Sequence, residues 1–146
     1  MTVQRTEQAR YRRQRASVRA ARTDARRLTT DWHHPDLADT VEAVVSELVT
    51  NAVIHGTTGR GSQVHVTYRL LPDRLRIEVR DAASGTPRLI RPVSPNGDNP
   101  ERGRGLVVVA ALSTRWGVIP RVIGKSVWAE VLLTQPTTPG DREAER

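Results

Sequence analysis

The chain has 146 residues, no cysteine and a formal net charge of +7. That length suits one domain with a real core, and the lack of cysteine excludes both a disulfide framework and a thiolate metal site. No apolar run approaches the roughly 18 residues of a membrane span, and the basic N-terminus has no apolar segment of a secretory signal, so a cytoplasmic protein is expected.

The charge is uneven. Residues 1–30 hold nine arginines against Glu7 and Asp24, which accounts for the whole excess; the rest of the chain is balanced. Residues 1–16 are mostly polar and read as an arginine-rich, flexible arm. Such an arm has the chemistry to meet nucleic acid, an anionic membrane surface or an acidic protein, or simply to be a solvated terminus. Tyr11 is its only aromatic residue, so it offers little for stacking bases. Residues 17–32 predict a first helix, with Val18, Ala21, Ala25 and Leu28 on one side and arginines outside. Pro35 disfavours a helical His34. His33 and His34 have no third metal ligand spaced near them and read as loop residues.

Asp39–Gly56, DTVEAVVSELVTNAVIHG, predicts the organising helix. Asp39 and Glu42 fit a capping box, and Gly56 is placed to end it. Val41, Val44, Val45, Leu48, Val49, Ala52 and Val53 form a broad apolar side. Glu47, Asn51 and His55, spaced by four, stack along its edge with Ile54 close by. A Gly/Thr-rich turn follows. Gln63–Leu71 alternates and reads as a strand, with Val64, Val66 and Tyr68 on one side. After Pro72-Asp73, the residues Leu75, Ile77 and Val79 give a second strand of an antiparallel hairpin that ends at Arg80-Asp81. Residues 82–102, rich in Gly and Pro, are long enough for a lid or binding loop. Gly103-Arg104-Gly105 then opens an apolar run, 106–112, that suits a short buried helix. A glycine-rich loop before a helix N-terminus suits phosphate. Trp116–Ile119 and Ser126–Leu133 predict two more strands around a turn containing Gly124-Lys125. Lys125, the only lysine, is either a phosphate contact or a plain hairpin tip. Residues 134–146 have no apolar pattern and read as a disordered tail.

In this order the pieces resemble the GHKL superfamily ATP-binding domain, or Bergerat fold, over 17–133. SELVTNAVIHG (46–56) resembles its N-box. VRDAASGTP (79–87) stands where the next box lies, RGRGL (102–106) resembles the glycine box after the lid, and GKSVWAEV (124–131) resembles the final box. The closer resemblance is to stand-alone bacterial anti-sigma-factor serine/threonine kinases. It implies an α+β fold: a two-layer sandwich with a mixed, mostly antiparallel sheet and helices on one face. It implies ATP and Mg²⁺ as cofactors. Glu47 would be catalytic, orienting an attacking hydroxyl or accepting its proton, and Asn51 would be the metal ligand. Asp81 would accept from the adenine amine and Gly85 would pass close under the base. Gly103, Gly105 and Leu106 would bring backbone to the phosphates, with Arg104 and Lys125 balancing charge. Ser126 would bind on the adenine side, and His55 would either close its helix or touch nucleotide.

The implied function is Mg-ATP-dependent phosphorylation of a serine or threonine on an antagonist protein, by a regulator that also binds a sigma factor. The competing reading is a regulatory interaction module, with or without ATP, that performs no phosphotransfer. Two departures bear on that choice: Ala83 replaces the middle glycine of D-x-G-x-G, and residues 1–16 show no alternation where relatives have an edge strand. Residues 1–38 are too short and polar for a histidine-kinase dimerisation helix pair, and only a short tail follows Leu133 where other members have a transducer domain. Relatives are often dimers, although no feature here defines an interface. A membrane partner is not expected, and nucleic acid is disfavoured because the domain itself carries no net charge.

Overall fold

The structure, a computed structural model, describes residues 2–55, 63–82, 107–120 and 124–133. It is an α+β sandwich. Strand β1 (Arg5–Arg12) is followed by helix α1 (Ala16–Asp31), a 3-10 turn (Pro35–Leu37) and helix α2 (Ala38–His55). Strands β2 (Gln63–Leu70) and β3 (Arg74–Ala82) come next. Residues 107–112 are helical (α3), and β4 (Arg115–Pro120) and β5 (Lys125–Leu132) complete a five-stranded sheet of order β1-β2-β3-β5-β4. All four described pairings are antiparallel, so no parallel pair is seen among them. Among the described residues no helix is long and apolar enough to cross a membrane.

Strand parity builds the core. Val64, Val66 and Tyr68 of β2, Ile77 and Val79 of β3, and Val127 and Ala129 of β5 are buried toward the helices, because a two-residue period puts them on one face. Helix α2 packs over β2, β3 and β5, with α1 beside it. Its inward set Val41, Val44, Val45, Leu48, Val49 and Ala52 is buried as the helical period requires. Ile54, in contrast, is 57% exposed.

The largest departure from expectation is at the N-terminus. Residues 5–12 are not a flexible arm: β1 pairs along its whole length with β2, from Arg5 opposite Leu70 to Arg12 opposite Gln63. Its inward side chains are held by α1 rather than by apolar burial alone. The Tyr11 hydroxyl donates to Asp24, and Arg27 reaches Glu7 at 3.0 Å. A charged outer strand also blunts the sheet edge against unwanted pairing.

Helix α1 ends in a Schellman closure. The His33 amide donates to the Thr30 carbonyl and the His34 amide to that of Thr29, with His33 left-handed at φ 64°. Both histidines are therefore turn residues, as read from the sequence. The capping box is not formed. The 3-10 turn feeds directly into α2, so Asp39 lies inside its first turn and binds Arg26 at 2.7 Å. Glu42 pairs with Arg22 and Arg26. These contacts tie α1 to α2, and the bonds from Arg26 and then Arg22 hold the Glu42 carboxyl below its ordinary pKa. Helix α3 is less buried than its apolar run predicts: Val109 joins the core, whereas Val107 is 64% exposed.

Candidate functional site

The chemistry-bearing residues gather at one end of the sheet. Arg12, Gln63 and Ala82 form one cross-strand row there. The next residue, Arg13, donates from Nη1 to the Val53 carbonyl in the last turn of α2 at 2.8 Å. A cation at a helix C-terminus satisfies an orphan carbonyl and opposes the negative end of the dipole. Arg13 therefore fixes the C-terminal half of α2, which carries Asn51, over the sheet end that carries Asp81. The sequence reading missed this residue. The signal available was Ala9 and Tyr11 alternating with Arg10 and Arg12, which marks a strand leading into it.

Glu47 and Asn51 lie one turn apart on α2, both half-buried. Glu47 opens on a groove between the two helices, lined also by Arg22, Asp39, Glu42, Ala43 and Ser46. Asp81 is different: at 2% exposure it is a buried carboxylate. Regular β2–β3 register places it in line with Ile77 and Val79, so it faces the helices. Gly124 packs against it with φ +76°. A β-carbon there would stand 2.0 Å from the Asp81 carbonyl oxygen, so this turn needs glycine for both conformation and space.

Lys125 and Ser126 separate. Lys125 is no exposed hairpin tip. It begins β5 at 6% exposure and shares the parity of Val127 and Ala129, hence the face of Asp81. Ser126 is fully buried on the opposite face, paired with Arg80 on one side and Ile119 on the other. Its side chain therefore lies on the other side of the sheet from Asp81, whereas Lys125 shares the Asp81 face. Gly85, Gly103, Arg104, Gly105 and Leu106 lie outside the described residues, as do Ala83, the loop 83–102 and the tail, and so does the His55 side chain.

The described set combines a neutral amide oxygen, a half-buried carboxylate and a buried acceptor facing the helix layer. Among the described residues no three His, Cys, Asp or Glu side chains gather around one point. This donor set fits a cation that arrives with an oxyanion ligand, which needs few protein ligands. The buried acceptor-only carboxylate fits a donor such as an exocyclic amine.

Comparison with known families agrees with this geometry. A family model described as a histidine kinase-like ATPase domain matches residues 11–129. The match runs from the end of β1, through both helices and the hairpin, into β5. No curated protein matches the chain.

Proposed function

Because the chain belongs to the histidine kinase-like ATPase domain family, we propose that this ATP-binding, kinase-like domain is a Mg-ATP-dependent serine/threonine protein kinase. In this reading it acts as an anti-sigma-factor-type regulator, binding a sigma factor and phosphorylating an antagonist protein. The observation that carries the reading is the placement of Glu47 and Asn51 one turn apart on α2, above the sheet end where Asp81 is buried.

Bound Mg-ATP supplies the transferable phosphoryl group and the oxyanions that share the metal. Asp81 takes the adenine amine as a hydrogen-bond acceptor. Asn51 would offer its amide oxygen to Mg²⁺, a hard cation suited to oxygen ligands. Glu47 faces the α1–α2 groove, where an incoming protein hydroxyl has access. It orients that hydroxyl and accepts its hydrogen bond, and so acts chiefly by positioning. Lys125 lies on the nucleotide side of the sheet and contributes positive charge there.

The test is a thermal melt with and without ATP, each with and without Mg²⁺, followed by phosphotransfer assays on Glu47→Ala. ATP at about 100 times its Kd stabilises a fold by roughly 2.7 kcal/mol, several degrees for a domain of this size. Glu47→Ala is expected to keep that shift and lose phosphotransfer by roughly 10²-fold or more. A Mg²⁺-dependent shift without phosphotransfer in the parent chain would leave the regulatory module as the function. No shift at millimolar ATP would remove the nucleotide site itself.

A further inference from the structure

The outer face of the sheet, turned away from the helices, carries arginines in two different states. Arg69 pairs with Glu78 at 3.3 Å, and Arg74 and Arg76 converge on Glu130 at 3.0 and 3.5 Å, with Arg115 at 3.8 Å. Each of these cations has a carboxylate partner within the face. At the β1 corner the opposite holds. Arg10 stands opposite His65, and His65 opposite Arg80, in one row across three strands. Arg12 lies two residues along β1 on the same side. Arg10, Arg12 and Arg80 are exposed, and none of the ion pairs among the described residues includes them. Arg10 and Arg80 flank His65 on either side, and burial followed by these two cations lowers its pKa.

We propose that this corner, Arg10, Arg12, His65 and Arg80, is a docking surface for an acidic protein segment whose carboxylates fill the row. Arg10 and Arg80 stand about 10 Å apart across two strand spacings, within reach of neighbouring carboxylates on one segment. Each guanidinium presents a fork that matches a carboxylate in two hydrogen bonds. Nucleic acid is the poorer match. The aromatic side chain of this face, Trp128, is already stacked by Arg76 at 4.3 Å and flanked by Arg115 at 5.8 Å. It therefore offers bases no open platform of the kind single-strand binders use. The cations also form a compact corner rather than a track along a backbone. A second copy meeting this corner across a two-fold axis would present the same positive charge and repel it. This surface lies on the opposite face from Asp81, so its occupation does not depend on phosphotransfer.

The experiment measures binding of a fluorescein-labelled peptide of alternating glutamate and serine, alongside single-stranded and duplex DNA oligonucleotides of equal net charge. The proteins are the full chain, Arg10→Glu/Arg80→Glu, the milder Arg10→Gln/Arg80→Gln, and Arg19→Glu at an exposed position of α1, which changes the net charge by as much as the milder pair. Peptide affinity is expected to fall about tenfold or more in both corner variants, the scale of one lost charge-assisted contact, and to hold in Arg19→Glu. His65 observed by NMR in the unaltered chain is expected to titrate at higher pH with peptide bound, because carboxylates then offset Arg10 and Arg80. Equal losses in Arg19→Glu, an unmoved His65 titration, or tighter binding of either oligonucleotide than of the peptide would each overturn the proposal.

Discussion

The same five strands write two unlike surfaces. Toward the helices the parity positions are Val64, Val66, Tyr68, Ile77, Val79, Val127 and Ala129, nearly all sealed from solvent. On the other face Arg76, Glu78, Arg80, Trp128 and Glu130 alternate with them. That face is organised by ion pairs and by the Trp128 ring, which lies over Gly117 so closely that a β-carbon there would come within 2.8 Å of the indole nitrogen. Period-two geometry lets neighbouring residues serve stability and recognition separately. The inner face carries the domain and buries Asp81 and Lys125 at its end. The outer face is free to be charged.

The sharpest way to break this comparison is to substitute adjacent residues of β3. Ile77→Ala opens a cavity in the sealed face and is expected to cost about 2–5 kcal/mol in chemical denaturation. Glu78→Ala, one residue on, removes a partly exposed pair with Arg69 and is expected to cost no more than about 1 kcal/mol. Equal costs would mean that the outer face carries as much of the fold as the core does.

Glu130→Gln probes an outer-face carboxylate that is buried like an inner-face group. Its side chain is 5% exposed and gathers Arg74, Arg76 and Arg115. Removing the partner of a fully buried pair costs several kcal/mol, but these cations reach solvent and relax, so about 1–2 kcal/mol is expected. Added salt should narrow the difference between variant and parent, since screening eases the repulsion among three guanidiniums, of which Arg115 is exposed and Arg74 and Arg76 partly so. A salt-independent loss would assign the effect to packing around Trp128 instead.

How far the sequence carries this picture depends on where the information lies. The apolar side of α2 and the alternation of β2 and β3 are local patterns, and Val41 to Ala52 and Val64 to Val79 are buried where those patterns place them. Strand β1 is not local. Only Ala9 and Tyr11 mark its inner side, and its place is secured by Asp24 and Arg27 of α1, partners whose proximity exists only in the fold. The capping box failed for a related reason. Arg22 and Arg26 offer Asp39 and Glu42 ionic partners from another helix, which a reading along one helix does not contain. At the site, Glu47, Asn51 and Asp81 are legible from motif order. The sides taken by Lys125 and Ser126 are not, because consecutive residues part only once the β3–β5 register is known.

Tyr68→Phe tests whether the inner face is as purely apolar as it looks. Tyr68 is fully buried and its hydroxyl oxygen has no hydrogen-bond partner among the described residues. An unsatisfied buried hydroxyl is unfavourable, and phenylalanine keeps the ring while removing it. The variant is expected to gain about 1 kcal/mol, raising Tm by roughly 2–4 °C. The pH dependence adds a second readout. Burial first, then Asp24 and Glu7, pushes the Tyr68 pKa above its ordinary 10.0, and Tyr11 is raised in the same direction by burial and by Asp24. A tyrosine that ionises more readily in the unfolded chain than in the folded one makes stability fall as pH rises past about 10. Tyr68→Phe should flatten that alkaline decline and leave the share due to Tyr11. A destabilised variant would show that the hydroxyl is satisfied, by a buried water or by a residue beyond those described. The helix-facing side of the sheet would then hold a polar anchor beside its apolar core.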